Sequence, residues 1–224
     1  EEILAALGIP CVRADGFEAD DVIATLAERC RASARPCWIL SGDKDILQLV
    51  GGNVRLLAQL KGSAALEEYT PERVRELRGV PPERIVDWLA LAGDASDNIP
   101  GVAGVGDKTA VKLLAQFSGL DDLYARIGEV TPEGVRRKLE AGRTDAMLSR
   151  ELATLRRDVP GLPDLDALSF AGLATDAAIP LFEREGMRSI VEELGGAAAP
   201  ASASAAAPAS AGAAGAPPPT PSPA

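Results

Sequence analysis

The chain contains no histidine. That absence removes the commonest general base near neutral pH and the usual nitrogen ligand of zinc, so acid–base or metal chemistry has to run on other groups. Cysteine is scarce: Cys11, Cys30 and Cys37 form an odd set at irregular spacing with no CxxC pair, which argues against a disulfide framework and against structural zinc and leaves them as small core residues. No apolar stretch approaches the roughly 20 residues that cross a bilayer, and no basic-then-apolar signal segment opens the sequence, so a soluble, cytoplasmic protein without membrane contact is expected. Positive charge is short as well, with 23 Lys and Arg against 33 Asp and Glu and a net charge of −10. Taken alone, that balance speaks against a nucleic-acid partner, unless bound metal neutralises part of the acid excess and the bases gather locally.

What is present is enough chain, 224 residues, for one sizeable core or two small ones. Residues 195–224 consist only of Ala, Pro, Ser, Gly and Thr, which offer neither charge nor large apolar side chains to offset ordering entropy, and they read as a disordered tail. The sequence starts at Glu1 without Met and reads as entered midway, with a helix end at Ile3–Leu7 and a short strand at Cys11–Arg13. Glu18–Ala32 has the apolar spacing of an amphipathic helix. Strands are expected at Cys37–Leu40 and Val54–Leu57, helix starts at Thr70-Pro71-Glu72 and Pro81-Pro82-Glu83, and an almost wholly helical pattern from Pro71 to Leu194. Strands alternating with helices, followed by helices only, predict an α/β fold: a partial parallel sheet with flanking helices, then a helical subdomain.

Three acidic clusters sit at the ends of apolar runs: Glu18, Asp20 and Asp21; Asp43 and Asp45; Asp94 and Asp97. The first two have a modest structural explanation, since acids suit a helix N-terminus and an Asx turn follows a strand readily. Asp94 and Asp97 follow the apolar helix Ile85–Ala92, and the first of them lies near the negative end of its dipole, where acids are mildly unfavourable. If the clusters converge they repel one another unless cations hold them, and two divalent ions about 3.5–4 Å apart are a known solution.

The third cluster leads into Gly101-x-x-Gly104-x-Gly106-Asp107-Lys108-Thr109. This is no Walker A loop, because Asp107 intervenes before the lysine and no strand precedes; nor is it a Rossmann turn, since the glycines come in another order after a helix. It reads as a tight turn between two helices whose glycines let a phosphate approach N–H groups at the next helix start, with Lys108 and Lys112 on one face of that helix. Arg136-Arg137-Lys138 adds to a local basic strip. Such contacts position a strand without reading its sequence.

Taken together, Glu18-Ala19-Asp20-Asp21, Ser41-Gly42-Asp43-Lys44-Asp45 and the run Gly93-Asp94-Ala95-Ser96-Asp97-Asn98-Ile99-Pro100-Gly101 through Ala110 resemble the 5′ nuclease domain of bacterial DNA polymerase I and its wider relatives, the flap endonucleases. The resemblance covers residues 1 to about 194. It implies a PIN-like 5′ nuclease core, of which residues 1–92 are the C-terminal part, and a helical DNA-binding subdomain at 93–194 with a helix–hairpin–helix-like motif. It also implies a two-ion site of Mg²⁺, replaceable by Mn²⁺, on Glu18, Asp20, Asp21, Asp43, Asp45, Asp94 and Asp97, with Asp43, Asp45, Asp94 and Asp97 as catalytic residues. Duplex DNA with a 5′ end or flap is then gripped by Gly101, Gly104, Gly106, Lys108, Thr109 and Lys112, and a potassium ion is coordinated around that turn. Members of the family carry a further metal-binding Asp, a second Asp and a helical arch ahead of the segment matched by Glu1, so little or no flap cleavage by this chain alone is expected. A polymerase module or that upstream segment is the expected protein partner. The competing function is a DNA-junction-binding module without turnover.

Overall fold

The computed structural model describes residues 1–59 and 65–196. In chain order the helices and strands are α1 (Glu2–Ala6), α2 (Ala19–Ala32), β1 (Cys37–Leu40), β2 (Val54–Gln59), β3 (Leu66–Tyr69), α3 (Pro71–Arg78), α4 (Ile85–Ala92), α5 (Asp107–Gln116), α6 (Leu120–Ala125), α7 (Glu133–Ala141), α8 (Arg143–Ala153), α9 (Thr175–Arg184) and α10 (Arg188–Gly196). They form two compact units, the larger spanning Gly8–Gly172 and the smaller joining Glu1–Leu7 to the described residues from Leu173 onward. In the smaller unit α1 and α10 both pack on α9, which buries Ala178 and Phe182. Its ends are tied by Arg184, whose guanidinium donates to both carboxylate oxygens of Glu2 at 3.3 and 2.7 Å. The alanine- and proline-rich tail expected from residue 195 lies, from residue 197 on, outside the described residues.

The larger unit is built on a three-stranded sheet in the order β1-β2-β3. The pair β1–β2 is parallel, as the alternation of strands and helices predicts, with Ile39 opposite Leu56. β3, absent from the sequence reading, joins antiparallel with Tyr69 opposite Leu56. Its two glutamates are compensated from neighbouring elements: Glu67 pairs with Arg73 of α3 at 2.6 Å and Glu68 with Arg55 of β2 at 3.5 Å. Side-chain alternation gives the sheet one dry face, where Ile39, Val54 and Leu56 are buried, and one bare face, where Trp38 and Leu40 are 58% and 67% exposed.

Local chemistry sets the helix boundaries. α2 begins where the Asp21 carboxylate accepts the Glu18 N–H at 3.4 Å, and α3 where the Thr70 hydroxyl accepts the Arg73 N–H at 3.3 Å, with Pro71 in the first turn. The Pro81-Pro82-Glu83 start forms a 3₁₀ turn (Pro82–Arg84) before α4 takes over. α4 buries Ile85, Trp88, Leu89, Ala90 and Leu91 and packs against α5 and α8, which makes it the central helix of the core. Cys11–Arg13 is not a strand. Three residues after Pro10 find no strand to pair with among the described residues, and Val12 packs instead into a small cluster with Val22, Val159 and Leu162.

After β1 the chain enters a wholly buried 3₁₀ turn, Asp45–Leu49. Buried Gln48 clamps this turn to the end of α8: its amide donates to Ala153 O at 2.8 Å and its carbonyl accepts the Leu155 N–H at 3.3 Å. Truncation leaves two buried backbone groups unpaired, so Gln48→Ala should lower stability by about 2–3 kcal/mol in urea unfolding; a loss below about 0.5 kcal/mol would show the clamp to be dispensable.

Candidate functional site

Two loops carry the acids that meet. The first leaves β1 through Ser41-Gly42: the Asp43 N–H donates to Ser41 Oγ at 3.1 Å, and the Asp45 N–H donates to Asp43 Oδ1 at 2.9 Å. This is the Asx turn that competes with a functional reading, yet it engages only one oxygen of Asp43. The second loop leaves α4 at Gly93. Asp94 and Ile99 exchange both backbone hydrogen bonds at 2.8 Å, closing residues 95–98 into a tight bend in which Asn98 takes φ +57°. The Asp94 Oδ1 atom accepts from Ser96 N–H at 2.9 Å and from Ser96 Oγ at 2.6 Å, while Asp94 Oδ2 forms an ion pair with Lys44 Nζ.

Across these loops, carboxylate oxygens of Asp43, Asp45 and Asp97 all lie within 4.8 Å of one another. Asp20, in the first turn of α2, faces the same group, and its acidity is weakened by partial burial and then by the charges of Asp43, Glu18, Asp21 and Asp97. Burial, followed by the charges of Asp43, Asp97 and Asp94, pushes Asp45 up to about 7. Burial also pushes on Asp94, but Lys44 and Ser96 more than offset it and hold that carboxyl at about 2. Asp97 is raised by desolvation and by Asp94 and Asp43. Glu18 and Asp21 lie beside Asp20 but outside the convergent three. Both Asp21 oxygens are already engaged by backbone, Oδ2 by the Glu18 N–H and Oδ1 by the Arg156 N–H at 2.8 Å.

A hard divalent cation fits this donor set. The group is all oxygen, it concentrates like charges that repel, and Asp45 Oδ1 is buried without a hydrogen-bond donor among the described residues. Asp43, Asp45 and Asp97 would hold such an ion most directly.

The glycine turn is joined to the acidic loop backbone to backbone. Gly93 and Gly101 have φ of +74° and +62°, and a Cβ on Gly101 would lie 2.4 Å from Gly93 N. The Gly101 N–H donates to the buried Ser149 hydroxyl of α8 at 2.9 Å, and the Val102 N–H to Leu91 O at 2.9 Å. Gly104, at φ +77°, presents its carbonyl to Lys138 Nζ of α7 at 3.0 Å. Gly106 caps α5, accepting the Thr109 N–H at 2.9 Å, and Lys108 and Lys112 are exposed on that helix. Within the expected basic strip, Lys138 therefore anchors the turn, and Arg136 and Arg137 pair with Glu133 on their own helix. Sequence reading misses Ser149, which sits 48 positions from its partner with no local signal, and misses the pairing of Lys44 with Asp94.

Two family models match in tandem: the N-terminal resolvase-like domain of the 5′-3′ exonucleases over residues 1–79 and their C-terminal SAM fold over residues 80–176. The chain belongs to the 5′-3′ exonuclease family. This exonuclease-family chain is 42% identical over 193 residues to DNA polymerase I of Bacillus caldotenax, covering 86% of the chain and 22% of that protein. It is 40% identical over 198 residues to DNA polymerase I of Bacillus subtilis, covering 88% of the chain and 22% of that protein. It thus spans about a fifth of the length of these relatives. Its fold is shared with the zinc-bound 5′-exonuclease of phage T5, at 23% identity and a TM-score of 0.57 over 64% of this chain and 52% of that one.

Two outcomes follow from this geometry. Asp45 is raised in the folded protein above its unfolded value near 3.9, so the folded state keeps a proton that the unfolded chain releases. In EDTA its contribution is then fully present below about pH 4 and is lost as pH rises through about 7. Asp45→Asn should accordingly exceed the wild type in stability at pH 8 by roughly 1–3 kcal/mol and match it near pH 4; equal unfolding curves at pH 8 would contradict the shift. Separately, Gly101→Ala drives a methyl into the Gly93 backbone, and a loss of at least about 3 kcal/mol is expected, whereas Gly106→Ala, whose Cβ meets nothing within 4 Å, should cost less than about 1 kcal/mol. Thermal unfolding of the two variants compares them directly.

Proposed function

We propose that this chain serves metal-dependent hydrolysis of DNA phosphodiester bonds near a 5′ end or flap junction, as a 5′-3′ exonuclease or structure-specific flap endonuclease in replication and repair. The observation that carries the reading is the meeting of Asp43, Asp45 and Asp97 within 4.8 Å of one another. Mg²⁺ is the preferred ion and Mn²⁺ its substitute, because the donors are carboxylates without imidazole or thiolate. Asp20 and Asp94, with Glu18 and Asp21 beside them, complete a two-ion site. Ions held there would supply an activated water and neutralise charge on the leaving oxygen.

The chain's own residues then divide the work. Residues 1–92 contribute Glu18, Asp20, Asp21, Asp43 and Asp45, and residues 93–194 add Asp94 and Asp97 together with the grip on the duplex. Gly101, Gly104 and Gly106 let the sugar–phosphate backbone come close to the start of α5, where free N–H groups favour an anion. Thr109, Lys108 and Lys112 add side-chain contacts to phosphates. A potassium ion at that turn belongs to the same reading, as does cooperation with an upstream segment and with a polymerase module of the kind named in the relatives. No described helix is long and apolar enough to cross a membrane, and action on cytoplasmic DNA is the location proposed.

One observation favours a second reading, a junction-binding module without turnover: the Asp94 carboxylate already has the Lys44 ammonium against one oxygen and Ser96 donating to the other. A 5′-flap duplex separates the two. Cutting in Mg²⁺ that falls at least about 100-fold in Asp43→Asn/Asp97→Asn, with binding in EDTA retained, supports the nuclease. Binding without cutting by either protein selects the second reading. Lys108→Ala/Lys112→Ala should weaken binding of all sequences alike and flatten its salt dependence by up to about two units of slope.

A further inference from the structure

Lys44 sits between Asp43 and Asp45 in the chain, but its ammonium reaches past both to the loop after α4 and pairs with Asp94 Oδ2. The Asp94 side chain is 1% exposed and that of Lys44 31%, so an interior carboxylate is met by a cation that comes in from the surface. Ser96 takes the other oxygen of Asp94 with both its N–H and its hydroxyl. Asp94 Oδ2, like Asp45 Oδ1, accepts no hydrogen bond among the described residues, and what separates the two is the Lys44 ammonium seated on Asp94 Oδ2.

We infer that Lys44 is an internal competitor for divalent cations at Asp94, dividing the acids into an open set that takes an ion directly and a guarded carboxylate that takes one only when the ammonium leaves. The inference rests on the two-ion reading above. Its physical basis is the match of opposite charges at contact distance around a buried oxygen, where the attraction is strong and an unpaired carboxylate is costly. Lysine suits the role because its ammonium is a compact point charge on a flexible four-carbon stem, and it rehydrates readily when it swings out. Arginine would lock the pair with a planar fork. The outcome is two ion affinities set far apart by one residue of the chain itself.

Mn²⁺ titration of the full chain, followed by calorimetry and by electron paramagnetic resonance of the free ion, tests this. The wild type should bind a tighter and a weaker ion. Lys44→Met should tighten the weaker ion at least about tenfold and leave the tighter within about threefold, and adding Asp94→Asn should erase the gain. A merely structural ion pair predicts the reverse, because its loss loosens the loop and weakens both ions. A weaker ion that is unchanged or loosened in Lys44→Met overturns the inference and leaves the metal site standing, whereas no Mn²⁺ binding by either protein overturns both. Should Lys44→Met fail to fold, the wild type decides: its Lys44 Nζ resonance, assigned by its loss in Lys44→Arg, should shift with Mg²⁺ over the concentration range of the weaker ion. A resonance that follows only the tighter ion, or does not move, rejects the competitor role.

Discussion

Gly93 and Gly101 touch back to back through their main chains, and this contact fixes the acidic loop and the glycine turn as one piece. A side chain on Gly93 would strike Ile99 O and Pro100 O at 2.8 Å. Between the two glycines the reciprocal Asp94–Ile99 hydrogen bonds shape the carboxylate loop, and beyond them the Ser149 hydroxyl and Leu91 carbonyl anchor the turn. The placement of the acids relative to the start of α5 is thus set by backbone packing, which is stiffer than any arrangement of long side chains. It also makes α8, which contributes no acid to the cluster, part of what holds the cluster in place.

Around that stem the electrostatics are arranged by burial. Asp45 and Asp94 are both interior and lie near the same charges, yet they are pushed in opposite directions: burial dominates at Asp45, where Lys44 acts only as a nearby charge, whereas at Asp94 direct contacts from Lys44 and Ser96 outweigh burial. Two carboxylates with separated acidities in one site are a recurrent sign of function. Here the separation comes from one serine two residues from Asp94 and one lysine that reaches Asp94 from the other loop. The excess of negative charge over the whole chain is therefore no guide to this site, whose behaviour depends on which few acids lack partners.

Much of this could be read from residue order. The apolar strand running into Ser41-Gly42 placed Asp43 and Asp45 at a strand end, and the apolar helix before Gly93 placed Asp94 and Asp97 at a helix end, so their convergence needed only that the two ends meet. Glu18 and Asp21 are the instructive exceptions. Acids in a first helical turn are ambiguous, and Asp21 is engaged by the backbone of Arg156, 135 positions away. β3 was illegible because Glu67 and Glu68 disguise a strand whose charges are answered by Arg73 and Arg55 from other elements. The Cys11–Arg13 segment has strand-like residues but no partner edge among the described residues, and pairing is a property of two segments, not one.

The two tryptophans of the chain occupy opposite environments. Trp88 is 5% exposed inside α4, with the Arg78 guanidinium 5.6 Å from its ring centre, whereas Trp38 stands 58% exposed on the bare face of β1. The intrinsic fluorescence of the protein is consequently a sum of a blue-emitting and a red-emitting indole. The first is set in the helix that ends at Gly93 and reports the integrity of the core beneath the acids. The second reports any surface that comes to cover the open side of the sheet, so one spectrum reads the two events at separate wavelengths without an added label.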